Sequence, residues 1–394
     1  MTDEQTISVI ITILNGAKWI EQCFESIARQ TAVQQMVNVN AIASVVTSLG
    51  EAGGTTAACA KYSGTHVELH QQQHVIRIEV CVFDDCSVDE TPHLLELWRQ
   101  KFAALNMRMC IVSNNSGKPK GVGYGRNVAI ANSSGAYLCF QDIDDEMLPQ
   151  RILKQYALAR RHKDAIIGSK FSRIPPNSTC RFSRWANELD AQKLCLQIYT
   201  SNGPTVIMPT WLCHRSVYEN VTNGFAEDGQ GTPEDLIFFY KHLDLGGRIL
   251  RAEECLLRYR YHPLATTFSI AAKTIWRIRL KHLIENVLGV SPWLQSFTIW
   301  NAGKQGRKLF RDLPISEQNK VIAFCDVDKN KINKTYKHYD TSLRTITHSV
   351  PIIHFSAATP PLLICMKLDL THGAFEANLK SLNLTEGKDF ILFT

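Results

Sequence analysis

Apolar and polar positions along this chain switch repeatedly between the period of a strand and the period of a helix. Ile7-Ser8-Val9-Ile10-Ile11-Thr12-Ile13 is a mostly apolar run of strand length, and Asn15-Gly16 breaks it. From Ala17 to Gln30, Trp19, Ile20, Cys23, Phe24 and Ile27 recur at helical spacing, which predicts an amphipathic helix. Residues 32–75 lose both periods. They are rich in Ala, Thr, Gly, Val and Gln, with three charged residues in 44, and read as a mobile insertion. Order returns at Ile76–Phe83, an apolar strand running into Asp84-Asp85. A helix over Asp89–Leu105, a strand Met107–Val112 and a glycine-punctuated loop Asn115–Gly125 follow. A helix starting near Arg126 then leads to the strand Ala136–Gln141, which delivers Asp142-Ile143-Asp144-Asp145. This alternation predicts an α/β domain with a mainly parallel sheet and helices on both faces. Ligands of such sheets bind at the carboxyl ends of the strands, where both acidic clusters fall.

A second unit begins after about residue 296. Phe297-Thr298-Ile299-Trp300 reads as a strand, Asn301–Arg307 as a glycine turn into a helix through Leu313, and Lys320–Cys325 as a strand ending in Asp326-Val327-Asp328. Glycines at a strand-to-helix turn, with an acid closing the next strand, predict a smaller Rossmann-like α/β domain. Only Gly303-x-x-Gly306 is present, so the pattern supports the fold more than a retained dinucleotide or adenosylmethionine site. The expected organisation is 1–270, 271–296 as a basic helical connector, and 297–394.

Composition narrows the setting. The N-terminus has no signal-peptide pattern and no apolar run reaches the roughly 20 residues of a membrane span. The expectation is therefore a cytoplasmic protein without a membrane, its twelve cysteines reduced. No Cys-x-x-Cys occurs, which argues against structural zinc. The net charge of +6 is unevenly placed: residues 273–337 carry 13 Lys/Arg against 5 Asp/Glu. Such a stretch is either a solvated basic face or a surface for phosphates, and Arg277, Arg279, Lys281, Lys304, Arg307, Lys308 and Arg311 are its candidates for nucleic-acid contact.

The acids carry the chemistry. Asp142 and Asp144, with Asp145 adjacent, sit where a divalent cation can be held by one or two carboxylates and still bind phosphate oxygens. Asp85 can accept a base N–H, Gly121–Gly125 allows close backbone approach, and Arg126 and Asn127 add a cation and an amide. Glu234-Asp235 opens a helix, where an acid can deprotonate an acceptor hydroxyl or merely favour the helix dipole. Arg260 and His262 end a strand as possible phosphate or metal contacts. Asn202 and Trp211 are candidates for the acceptor, although Trp211 reads equally well as core.

The ordered set Ser8–Ile11, Asn15-Gly16, Asp84-Asp85, Gly125-Arg126-Asn127, Asp142-x-Asp144-Asp145, Glu234-Asp235 and Tyr261-His262 resembles the inverting family 2 glycosyltransferases. That resemblance implies a GT-A fold, a nucleotide-sugar donor and Mn²⁺ or Mg²⁺. It implies that Asp144 and His262 hold the metal and that Asp235, with Glu234 beside it, is the catalytic base. It further implies that Ile11, Thr12, Asn15, Asp84, Asp85, Arg126, Asn127, Asp142, Asp145 and Arg260 surround the nucleotide sugar. Over nearly the whole chain, Thr200–Trp211, Thr298–Arg307 and Ala323–Asp328 are similar to the galactosyltransferases that modify queuosine in tRNA. This implies UDP-galactose as donor, queuosine-containing tRNA as partner, and no obligate protein partner. N-acetylglucosamine transfer to a glycan, or a non-catalytic module binding RNA or a nucleotide sugar, are the alternatives. Residues 32–75 have no counterpart in the resemblance.

Overall fold

The computed structural model describes residues 5–35, 76–341 and 343–394. The expected insertion at 32–75 therefore lies, beyond its first four residues, outside the described residues. Contacts divide the chain into two compact units. One comprises the described residues of Met1–Ser178 with Val206–Gln230 and Gly247–Pro263; the other comprises Thr179–Thr205, Gly231–Gly246 and Leu264–Thr394. This differs from the expected sequential division into 1–270, 271–296 and 297–394. An aromatic cluster explains why two inner segments join the later chain: Tyr240 stacks on His282 with ring centres 4.1 Å apart, and Tyr199 contacts His282 and Phe393. Such long-range packing leaves no local mark in the sequence.

The first unit is built on an eight-stranded mixed sheet in the order β3-β2-β1-β4-β7-β6-β8-β5. Its strands are β1 Gln5–Ile13, β2 Ile76–Asp84, β3 Arg108–Ser113, β4 Tyr137–Phe140, β5 Glu146–Met147, β6 Ala165–Ile174, β7 Leu212–His214 and β8 Arg248–Arg260. β1 pairs in parallel with β2 and β4, and β2 with β3, as the alternating pattern requires. β7 runs antiparallel to both β4 and β6, a departure from the expected parallel order. The helices are α1 Ala17–Ala28, α2 Thr91–Ala104, α3 Val122–Ala131 and α4 Arg151–Ala159. Ile20, Cys23, Phe24 and Ile27 of α1 pack with Trp98 and Phe102 of α2 against Ile7, Val9, Ile11 and Ile13.

Helix α3 starts four residues before the expected Arg126. Gly121, at φ 94°, makes the turn, and Gly125 lets the helix lie against the sheet. A Cβ at Gly125 would stand 2.7 Å from the Phe83 ring and 2.8 Å from the Thr12 methyl. Gly125→Ala is expected to destabilise the fold by about 1–3 kcal/mol, the usual cost of overpacking, read as a lowered denaturation midpoint.

The second unit holds a six-stranded sheet in the order β11-β12-β10-β9-β13-β14. These are β9 Phe297–Trp300, β10 Val321–Asp326, β11 Thr335–Asp340, β12 Thr345–His354, β13 Leu362–Ile364 and β14 Phe390–Leu392. All pairings among β12, β10, β9, β13 and β14 are parallel, and β11 is an antiparallel edge. Strand order 3-2-1-4-5 is that of a Rossmann-like domain. The unit also contains α5 Glu234–Asp244, α6 Ala272–Leu283, α7 Lys304–Asp312 and α8 Ala374–Ser381. Where the fingerprint lacks its first glycine, Asn301 takes φ 108° itself. Gly306 is obligatory, since a Cβ there would be 2.0 Å from the Asn301 carbonyl oxygen. Among the described residues, no helix is long and apolar enough to cross a membrane, and the cysteines are free thiols.

Candidate active site

The carboxyl end of β4 carries the acids, and a buried polar network fixes that end. Arg151, wholly enclosed, donates from Nη2 to the Phe140 carbonyl (2.7 Å), from Nη1 to Gln141 Oε1 (2.6 Å) and from Nε to Gln155 Oε1 (3.0 Å). Gln155 passes the bracing on to the carbonyls of Ile167 and Thr210, and Gln141 donates to the Asp142 carbonyl. The sequence reading missed this network. Its signal was present: Arg151 and Gln155 fall on the same helical stripe as Ile152, Tyr156 and Ala159, where apolar residues belong.

One oxygen from each of Asp142, Asp144 and Asp145 lies within 4.8 Å of the others. Asp142 takes a hydrogen bond from Arg126 Nη2 at 3.2 Å, and Asp144 Oδ2 lies 2.7 Å from His262 Nε2. Asp145 is fully buried. Its Oδ1 accepts the Arg260 backbone N–H at 2.8 Å, while Oδ2 meets no donor among the described residues. Burial, then the charges of Asp144 and Asp142, push its carboxyl well above the ordinary range. A divalent cation answers both features, giving the orphaned oxygen a partner and stabilising the clustered charge. The donor set thus fits Mn²⁺ or Mg²⁺. Cys23 is buried beside the cluster with its thiol 3.7 Å from the Asp142 carbonyl oxygen, and burial and then the acidic charges hold the thiol well above its ordinary pKa.

His262 packs against Trp19, ring centres 5.2 Å apart, and Arg260 lies 4.6 Å over the same indole. Arg260 donates from Nε to the Asp144 carbonyl and from Nη2 to Gln22 and Glu146, so it braces the acidic loop. Arg126 lies buried over the Phe225 ring.

Several expected contacts have other duties. Asp85 accepts from Asn114 Nδ2 and from the backbone N–H groups of Lys120 and Gly121, holding the turn that starts α3. Asp84 accepts the Ser87 N–H, and Asn15, at φ 52°, accepts the Val88 N–H. Asn127, on α3, is committed to the segment 218–227: its amide donates to the Phe225 carbonyl and to Glu227, and its oxygen accepts from Phe225 N–H and the Tyr218 hydroxyl. Ile11 belongs to the core and Thr12 is half-buried. Trp211, expected to face the acceptor, is wholly buried, with its indole N–H on the Val206 carbonyl at 2.9 Å. A short turn, Met208–Thr210, carries it straight into the middle of the sheet.

In the second unit, Asp235 is half-buried at the start of α5 and its Oδ1 accepts the Leu236 N–H at 2.7 Å; Glu234 is buried. Gly203 lies next to Asp235, since a Cβ built there would be 3.8 Å from Oδ2, and Asn202 is exposed. The basic candidates divide. Arg277, Lys281, Lys304 and Arg311 are exposed, and Arg307 and Lys308 are half-buried against Tyr336 and Trp276. Arg279 is only 3% exposed, on the inward stripe of α6 with Ile275 and Leu283, its guanidinium over Phe393. It is a core residue, not a surface phosphate contact.

Residues 67–222 match the family model described as glycosyl transferase family 2. With the strand order and the acidic cluster, this match gives the first unit a GT-A fold and the chain the machinery of a nucleotide-sugar-dependent glycosyltransferase, similar over those residues to family 2. Among curated proteins, a segment of 89 residues is 34% identical to the poly(ribitol-phosphate) beta-N-acetylglucosaminyltransferase TarS of Staphylococcus aureus; it represents 23% of this chain and 14% of that protein. The chain thus matches about a seventh of that relative's length. Among solved structures, S. aureus TarS 1–349 in complex with UDP-GlcNAc aligns with TM-score 0.49 and 16% identity, over 80% of this chain and 78% of that one. A mannosyltransferase from Pyrobaculum calidifontis, in complex with GDP-Man and Mn²⁺, aligns with TM-score 0.41 and 15% identity, over 72% and 64%.

Proposed function

We propose that this chain is an inverting, metal-assisted transferase that moves galactose from UDP-galactose to the queuosine base of tRNA. The observation that carries the transferase reading is the buried Asp145 oxygen that meets no donor among the described residues, within a cluster of three acids at the carboxyl end of β4. Asp142, Asp144, Asp145 and His262 would hold Mn²⁺ or Mg²⁺, which supplies neutralisation of the charge on a departing diphosphate. Arg126 holds Asp142 in place, and Arg260 and Trp19 hold the Asp144–His262 pair. A hydroxyl oxygen of the acceptor bonds to the anomeric carbon as that carbon's bond to the UDP oxygen breaks, inverting the centre. Asp235 takes the hydroxyl proton.

The acceptor reading rests on the charge map and on the whole-chain resemblance to queuosine-modifying enzymes. Arg277, Lys281, Lys304 and Arg311 leave four exposed cations for phosphates. Replacing all four by Ala is expected to weaken tRNA binding and to reduce the slope of log K against log salt by up to about 3. Unchanged affinity and slope would remove the tRNA surface from this helix pair. A second reading, transfer of N-acetylglucosamine, is favoured by the name of the curated relative. A donor panel of UDP-galactose, UDP-glucose and UDP-N-acetylglucosamine, incubated with queuosine-containing and queuosine-free tRNA and read by nucleoside mass spectrometry, separates the two. Galactose added only to queuosine supports the proposal, and no transfer to either tRNA overturns it.

A further inference from the structure

The second unit contains a cavity of about 210 Å³ that the transferase chemistry does not use. It opens where the Rossmann-like sheet divides. β9 has β10 on one side and β13 on the other, so the connections leaving its neighbourhood run in opposite directions. A crevice outside the carboxyl ends of the strands at such a switch point is where open α/β sheets bind ligands. The walls come from those ends: Trp300 at the end of β9 with Asn301 after it, Asp326 at the end of β10, Met366 after β13, and Phe375 and Asn378 of α8.

The lining defines what fits. Around the turn into α7, the groups that would grip a pyrophosphate are already occupied from within. The Gly303 N–H donates to Asn301 Oδ1 at 2.8 Å, and the Ala302 N–H donates to Asp326 Oδ2 at 3.0 Å. Asp326 also accepts from the backbone N–H groups of Val327 and Asp328 and from Lys331 Nζ, so its lone pairs are taken and it cannot read a ribose. Lys331 is in turn balanced by Asp326 and Asp328. The site is therefore closed to a dinucleotide on chemical grounds. Its volume agrees, falling below the roughly 300 Å³ at the lower end for drug-sized ligands.

What remains is mainly apolar, with one polar edge. Trp300 and Phe375 form a buried edge-to-face pair with ring centres 5.4 Å apart, and half-buried Met366 adds a polarisable thioether beside them. Among the described residues, no hydrogen bond engages the side-chain amide of half-buried Asn378. An asparagine amide offers a donor beside an acceptor, which matches the edge of a nucleobase. We propose that this cavity is a pocket for a single nucleobase, supplied either by a free nucleoside or by an unpaired base in RNA. The assignment is independent of the donor and acceptor readings above, because it uses none of their residues.

Adenosine is the probe, since its base does not compete for a uridine site. Calorimetric titration is made on the full chain with UDP and Mn²⁺ at saturation, so that the first unit's site is filled. Saturable adenosine binding is expected. Ala374, exposed at the first position of α8, lines the cavity, and Ala374→Phe should fill it and weaken adenosine at least about tenfold, or ~1.4 kcal/mol. Asn378→Leu should weaken it several-fold while leaving thermal unfolding unchanged, which separates lost recognition from lost folding. Competition by a short single-stranded oligoadenylate, but not by the same strand paired with oligouridylate, identifies RNA as the source. Absence of competition by either strand identifies the free nucleoside. No saturable binding, or equal binding by both variants and the parent, overturns the proposal whatever the transferase assays show.

Discussion

Asp144→Ala should lower turnover by roughly 10²–10³-fold, the equivalent of about 3–4 kcal/mol of transition-state stabilisation, without unfolding the protein. Its carboxylate is one of three that converge within 4.8 Å, and it is the one that meets His262. Removing it leaves two acids, one of them buried, and deprives His262 of the partner that orients its ring. The fold survives because the end of β4 is held elsewhere, by the hydrogen bonds of Arg151 to Phe140 and Gln141. The loss should shrink as Mn²⁺ is raised, since a weakened site is partly refilled by mass action. Metal-dependent turnover within threefold of the parent would exclude Asp144 from the cation site. Arg151→Met gives the complementary result: it leaves buried carbonyl and amide oxygens without donors and is expected to cost about 2–4 kcal/mol of stability. The two variants separate a group that acts on the donor from one that positions it.

That division also marks what local sequence patterns can show. β1, α1, β2 and β4 were legible because a buried parallel strand needs an apolar run and a covering helix needs an apolar stripe. The acids at 142–145 were legible as a cluster because their place after β4 follows from that order. Their differences were not. Asp142, Asp144 and Asp145 look equivalent in one dimension, yet only Asp145 is fully enclosed with an oxygen lacking a donor. Trp211 shows the converse: an aromatic beside small polar residues could face a sugar or a core, and the antiparallel entry of β7 into the sheet places it in the core. Arg279 misled for the same reason, since charge was counted and helical phase was not. Counting α6 from Ile275 puts residue 279 one turn on, facing inward. Asn301 was hidden differently. The turn needs a positive φ, not a glycine as such, and asparagine is among the residues that tolerate it.

Asp235→Asn should lower turnover by roughly 10²–10⁴-fold, the usual contribution of a positioned general base. The substitution keeps the size of the side chain and leaves an oxygen to accept the Leu236 N–H in the first turn of α5, so that contact is kept. What it removes is the second carboxylate oxygen, the one near Gly203 and the one proposed to take the proton. Because every candidate grip on the nucleotide and metal is a first-unit residue, KM for the donor should stay within about threefold of the parent and the loss should fall on kcat. Glu234→Gln is the necessary companion. Glu234 is buried where Asp235 is half-buried, so it is less able to meet an incoming hydroxyl, and its amide variant should keep most of the activity. If the order is reversed, with Glu234→Gln inactive and Asp235→Asn active, the base is the glutamate. If both keep full turnover, no carboxylate at the start of α5 takes the proton.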